Sequence, residues 1–305
     1  MHIAAVKVSH LCDFCSHMPV VVKPLRGVHI LSLALNLPGP AALMRLQGLG
    51  ARCTKIEPPS RDPMALYNAK AYGEMHAGAR LLSADLKTPV GQKQLHQALA
   101  KANVLLTSFR PSALRKLGLG WKSLHARYPT LSVVTIVGNP GAQAEEPGHD
   151  LTYLAQAGLV NGLELPPTLF ADMGGALMAS EAVLAAMLAQ RFTGSGSWQE
   201  VALSGAADWL AKPRNWGLTQ PNGAVGGAHA GYRVYACNDG RVAIAALEPH
   251  FAAALAQAVG LPGSDVHTMM LPATREAVAA FCLAHNRAEL DAMASDRDIP
   301  LFTLV

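Results

Sequence analysis

Acid–base chemistry is available in this sequence where histidine and carboxylate residues sit at the ends of apolar runs. His149 stands in Pro147-Gly148-His149-Asp150, after a Gly/Pro-rich stretch. Asp172 stands in Phe170-Ala171-Asp172-Met173-Gly174-Gly175, just ahead of a long Ala/Leu/Met-rich run. Glu248 stands in Leu247-Glu248-Pro249-His250-Phe251. An imidazole titrates near neutral pH and suits a general base. A carboxylate near a helix N-terminus is favoured in its ionised form by the helix dipole. Taken singly, Asp172 reads as a helix N-cap, His149 as a loop histidine and Glu248 as an N-terminal helix charge. Spacing alone does not bring the three together.

Two cations belong to motifs at the carboxyl ends of strand-like runs, where open α/β sheets bind ligands. They are Lys55, in Lys55-Ile56-Glu57-Pro58-Pro59, and Arg110, in Ser108-Phe109-Arg110-Pro111. A guanidinium fork suits a phosphate, although a strand-end lysine and a loop arginine are as often simply solvated. His10, Cys12, Cys15 and His17 form a donor set chemically sufficient for tetrahedral zinc. So compact a set lacks the distant second pair that structural zinc sites use.

The elements that must position these groups alternate. Strand-like runs fall at 28–34, 52–57, 80–86, 104–107, 131–137 and 198–203. Helical patterns lie between them at 41–48, 91–100, 111–117 and 175–191. Strand–helix–strand units of this kind imply a parallel sheet. The absence of Gly-x-Gly-x-x-Gly from the first turn argues against a dinucleotide cofactor. Residues 212–231 are rich in Gly, Pro and Asn, as a linker would be. A hairpin is expected over 232–246, then helices at 250–258, 273–284 and 287–295. The expected division is an N-terminal extension at 1–23, a large domain at 24–205, a linker at 206–231 and a small α+β domain at 232–305. The fold class is α/β, with a Rossmann-like parallel-sheet large domain and a smaller α+β domain.

Composition bounds the partners. Half of the 305 residues are hydrophobic and 15% are charged, enough apolar surface for a sizeable core and against disorder. The net charge of +4 carries no dense basic run and aromatics are only 6%, which argues against nucleic acid. The uncharged run over 27–44 contains Pro38-Gly39-Pro40, so it reads as strand, turn and helix rather than a membrane span. Five widely spaced cysteines suggest a reducing compartment. Residues 1–23 lack the pattern of a secretory signal, and the expected location is cytoplasmic.

Several motifs then occur in one order. They begin with Pro24-Leu25-x-Gly27-Val28, Gly39-Pro40, Leu49-Gly50-Ala51 and Lys55-Ile56-Glu57-Pro58-Pro59. Asp85-Leu86-Lys87, Phe109-Arg110-Pro111 and Leu117-Gly118-Leu119-Gly120 follow. Then come Gly148-His149-Asp150-x-x-Tyr153, Ala171-Asp172-x-Gly174-Gly175, Tyr232-x-x-Tyr235 with Asp239-Gly240, and Glu248-Pro249-x-Phe251. Each is weak alone. Together they resemble the class III CoA-transferase family, and within it the α-methylacyl-CoA racemase branch.

The resemblance implies an enzyme acting on acyl-CoA, with CoA as part of the substrate and no metal or redox cofactor. In the racemase branch the residues matching His149 and Asp172 act as two bases on opposite faces of the α-carbon, and the one matching Glu248 orients the histidine. In the transferases the residue matching Asp172 is the nucleophile, carrying CoA as an aspartyl thioester. A truncated, non-catalytic acyl-CoA binder is a third reading. Lys55, Arg110 and Arg80 are expected to meet CoA, and backbone N–H groups near Gly174 and Gly175 to hold the enolate oxygen. The resemblance also implies an interlocked homodimer. Four features depart from the family's expected pattern: a short 138–147 loop, a short stretch between Asp150 and Asp172, Ala79 in place of a lysine, and an expected return segment beyond the small domain that the given sequence does not include.

Overall fold

Short, largely apolar runs make the central strands of the first unit, because the middle of a parallel sheet covered on both faces buries every position. A computed structural model of the chain describes residues 22–305. It divides them into one unit of residues 22–156 and 160–206 and a second of 157–159 and 207–305. The Cys12/Cys15 donor set lies outside the described residues.

In the first unit, β1 (His29–Ser32), β4 (Val104–Thr107) and β5 (Ser132–Val137) are buried along their whole length. With β2 (Arg52–Glu57), β3 (Arg80–Ser83) and β6 (Trp198–Ala202) they form a six-stranded parallel sheet in the order β3-β2-β1-β4-β5-β6. This is the Rossmann order. The chain reverses direction across the sheet between β1 and β4, and that point opens a crevice at their carboxyl ends.

The flanking helices start and stop on local signals. Pro38 opens the helix Pro38–Gly48. A side chain at Gly39 would collide with the Ala34 Cβ, so helix and strand end meet there as only glycine allows. Thr88 caps the helix Pro89–Leu99 by accepting the Gly91 N–H at 3.1 Å. The helix Phe170–Thr193 ends at Gly194, whose φ of 69° makes a left-handed cap. Length and composition would let this helix cross a membrane. It instead packs on β5, β6 and the helix Pro38–Gly48, burying Ala171, Ala176, Ala179 and Val183. It begins before the expected residue 175, so Asp172 lies inside its first turn and Leu169 holds the cap position.

The second unit is built on a three-stranded antiparallel sheet, β7 (Tyr232–Cys237), β8 (Gly240–Ala245) and β9 (Leu301–Leu304), in that order. Asn238-Asp239 turn the β7–β8 hairpin. The helices Pro249–Val259, Pro272–Ala284 and Arg287–Arg297 contribute Leu255, Val278 and Leu290 to a core with Tyr235, Val242 and Ile244. Asn286 and Glu289 close a reciprocal capping box on the last helix. Two expectations change. Residues 212–231 hold the short helix Lys212–Asn215, and Ala230 is buried in this core, so the stretch is part of the unit rather than a free linker. β9 was not expected, because four residues after Pro300 carry little strand signal on their own.

Candidate active site

The crevice between β1 and β4 holds the site. A cavity of about 300 Å³ opens there. Leu35 and Asn36 line it from the turn after β1, and Ser108 and Arg110 from the turn after β4. Gly138 follows β5, and His149, Tyr153 and Asp172 complete the wall. The structure thus brings His149, Asp172 and Arg110 to one cavity.

Asp172 is half-buried in the first turn of its helix. Its backbone N–H, one of the donors a helix start leaves unpaired, is taken by Asp150 Oδ1 at 2.9 Å. Burial pushes its carboxyl up to about 6, the charge of Asp150 adds to the rise, and His149 opposes it. The helix dipole does not prevail. Such a carboxyl exchanges a proton near neutral pH, as an acid–base group must.

His149 is exposed and immediately precedes the helix Asp150–Gln156. Its carbonyl accepts the Thr152 hydroxyl at 2.8 Å, and its N–H donates to that hydroxyl at 3.1 Å, which fixes the backbone under the imidazole. Tyr153 is buried, and a side chain at either Gly138 or Gly148 would strike its ring or hydroxyl. Glu248 belongs to the second unit, at the N-cap of the helix Pro249–Val259.

Three expectations are corrected. Lys55 does not present its ammonium to a ligand. Its side chain is fully buried, and its Nζ meets Asp62 Oδ2 at 2.5 Å, His76 Nε2 at 2.8 Å and Glu57 Oε1 at 3.1 Å. Glu57, Asp62 and His76 are close enough to share a metal ion, but the ammonium lies among them. Arg80 stands at the amino end of β3 and lines, with His29, Thr54 and Lys101, a cavity other than the one that holds His149 and Asp172. Gly174 and Gly175 are interior to the helix Phe170–Thr193, where each N–H bonds the carbonyl four residues back. A side chain at Gly175 would collide with Leu203, which explains the glycine by packing.

Sequence reasoning missed other cations. A mostly apolar cavity of about 760 Å³ lies along the carboxyl ends of β2, β3 and β4. Ile56, Leu86, Phe109 and Leu117 line it, with Lys87 and Lys116 at its wall. Both lysines are exposed. Lys87 sits in the Asp85-Leu86-Lys87 motif, and that was its available signal. Asp150 was visible only as the neighbour of His149.

The parallel sheet of Rossmann order and the cavity lined by His149 and Asp172 define an α/β protein with a candidate site at a topological switch point. Residues 25–304 match the family described as CoA-transferase family III, and the chain belongs to that family. A probable fatty acyl-CoA transferase of Mycobacterium tuberculosis is 31% identical over 203 residues, covering 59% of this chain and 50% of that protein. Human alpha-methylacyl-CoA racemase is 28% identical over 264 residues, covering 81% of this chain and 67% of the racemase. The chain therefore spans half to two thirds of the length of these relatives. A crystal structure of a hypothetical protein from M. tuberculosis shares the fold, with a TM-score of 0.80 at 23% identity over 92% of this chain and 85% of that one. Members of the family are enzymes, racemases and CoA-transferases among them, and act on acyl-CoA substrates.

Proposed function

We propose that the protein moves the α-proton of an acyl-CoA thioester, epimerising a 2-methylacyl-CoA by two-base proton transfer. The observation that carries this reading is the placing of His149 and Asp172 on one cavity, with Asp172 raised to about 6. One base takes the α-proton and leaves an enolate; the other, already protonated, delivers a proton to the opposite face. Atoms balance, and only the configuration changes. The enolate needs positive potential that is in place beforehand. Arg110 on the cavity wall and the N-terminus of the helix Phe170–Thr193 supply it. The larger cavity suits the nucleotide end of CoA, with Lys87 and Lys116 toward its phosphates. It adjoins the smaller one at Phe109-Arg110. Exposed Leu188 and Phe192 on the helix Phe170–Thr193 support a homodimer that covers them.

Transfer of CoA through an aspartyl thioester at Asp172 is the second reading. It is favoured by relatives that are named transferases, such as cinnamoyl-CoA:phenyllactate CoA-transferase of Clostridium sporogenes at 30% identity. The test is incubation with a 2-methylacyl-CoA in deuterium oxide, following the α-proton by NMR. Exchange that is lost in both His149→Ala and Asp172→Ala supports epimerisation. No exchange, with a hydroxylamine-sensitive adduct at Asp172, moves the assignment to transfer.

A further inference from the structure

A buried ionic network lies beside the acid–base cavity, and the proposed chemistry does not use it. Lys55 on β2 hydrogen-bonds Asp62 and His76 through its ammonium and pairs ionically with Glu57 at 3.1 Å. His76 Nδ1–H donates to the Tyr72 carbonyl at 2.7 Å, which leaves Nε2 free to accept from Lys55. The Tyr72 hydroxyl donates to Glu57 Oε1 at 2.9 Å. Asp62 and Lys55 are both fully buried. None of these side chains lines the cavity that holds His149 and Asp172.

The network reaches that cavity through the second oxygen of Asp62. Asp62 Oδ2 is held by Lys55, while Oδ1 accepts the N–H of Met64 at 3.0 Å and of Asn36 at 3.1 Å. Asn36 has a φ of 64°, in the left-handed region, which asparagine enters more readily than most side chains but less readily than glycine. It lines the cavity with Asp172. The preceding Leu35 N–H donates to Ser108 Oγ at 3.2 Å, so the turn is tied to β4 on its other side. A left-handed asparagine in a cavity wall persists when its surroundings over-determine it. Here the determinant is a carboxylate whose own position is set by a buried ion pair.

We infer that Asp62 is a positioning residue for the acid–base site: clamped by Lys55, it holds the Asn36 turn and so fixes the cavity wall that the acyl thioester shares with Asp172. This rests on the proposed function for its catalytic consequence, but not for the geometry of the turn.

The test separates positioning from stability. Removing one member of a buried ion pair strands the other charge and destabilises the fold, whereas replacing both by apolar residues of similar volume is tolerated. The informative variant is therefore the double replacement Lys55→Met with Asp62→Leu. Its Tm is expected to fall below that of the wild type, because Glu57 is left without its cation and the Met64 and Asn36 N–H groups without their acceptor, so the readouts are taken at a temperature where the variant is folded. The Asn36 amide is expected to exchange with solvent about tenfold faster by NMR. The kcat for α-proton exchange falls by about tenfold to a hundredfold, with KM little changed. Adding Asn36→Gly restores part of kcat, because glycine holds a positive φ unaided. Unchanged Asn36 exchange in the folded double variant overturns the inference. A fast-exchanging Asn36 amide in the wild type overturns it as well, even if no variant folds. A wild type with neither α-proton exchange nor CoA transfer sinks the proposed function instead, and the amide measurements still decide the role of Asp62.

Discussion

The carboxylate of Asp150 accepts the backbone N–H of Asp172 at 2.9 Å. One buried side chain thereby joins the start of the helix Asp150–Gln156 to the start of the helix Phe170–Thr193. The bond fixes where Asp172 stands, and the charge that makes it raises the Asp172 carboxyl. Asp150 thus fixes the position of Asp172 and adds to a rise in proton affinity that burial chiefly sets. Asp150→Asn keeps an acceptor and removes the charge. It is expected to lower the Asp172 pKa and move the limb of the pH–rate profile that reports Asp172 toward acid. A limb that stays put would show that burial alone sets Asp172. Asp150→Ala also loses the acceptor, and is expected to lower kcat by about tenfold or more.

Asp172 couples stability to pH. Its folded-state value of about 6 lies above the ordinary 3.8, so the folded chain holds this proton more tightly than the unfolded one does. The resulting stabilisation is complete below about pH 4 and is lost as pH rises through about 6. Asp172→Asn removes the ionisation. Relative to wild type, the variant should gain about 2–3 kcal/mol on going from acid to pH of about 8. Chemical unfolding at both ends of that range measures it. A stability difference independent of pH would contradict the assignment.

Tyr153 separates two glycines by what each would strike. A side chain at Gly138 meets chiefly the Tyr153 hydroxyl, whereas one at Gly148 meets the ring as well. Each Gly→Ala change should cost about 1–3 kcal/mol through overpacking. Adding Tyr153→Phe should recover much of the loss for Gly138→Ala and little for Gly148→Ala. Double-mutant cycles by thermal or urea unfolding give the two coupling energies.

Lys87 and Lys116 should act on binding and not on the chemical step. Replacing either by Ala is expected to raise KM for an acyl-CoA by about tenfold and leave kcat nearly unchanged, as loss of uniform binding does. The effect should shrink at high salt, since both ammonium groups are exposed. It should disappear with a pantetheine thioester, which lacks the nucleotide. Equal losses with both substrates would place the lysines elsewhere in the reaction.

Much of the first unit was legible because its signals are local. β5 is a β-branched run that could be read as a buried strand, and Pro38, Thr88 and Gly194 mark helix ends with their own stereochemistry. The start of the helix Phe170–Thr193 was less clear. Leu169 makes no side-chain cap there, so no N-cap residue signals the true boundary. The helix Asp150–Gln156 was missed for a similar reason. Seven residues after a loop carry too little periodicity to read, and their first donor groups are satisfied by Thr152 and the His149 carbonyl.

The sequence by itself determined the α/β alternation, the positions of His149 and Asp172 at the ends of elements, and the kinship with CoA-transferase family III. These follow from residue type, period and order, which are properties of neighbours along the chain. Tertiary structure decided which charged groups face a ligand. Lys55 and Lys87 both follow from strand-end motifs, yet Lys55 is turned into the core by Asp62, Glu57 and His76 while Lys87 stands at a cavity wall. It also decided that Asp172 holds a proton near neutrality. That value depends on burial and on Asp150, a partner 22 residues away. Desolvation and hydrogen bonding are set by what packs around a group in space, and only the folded chain supplies those neighbours.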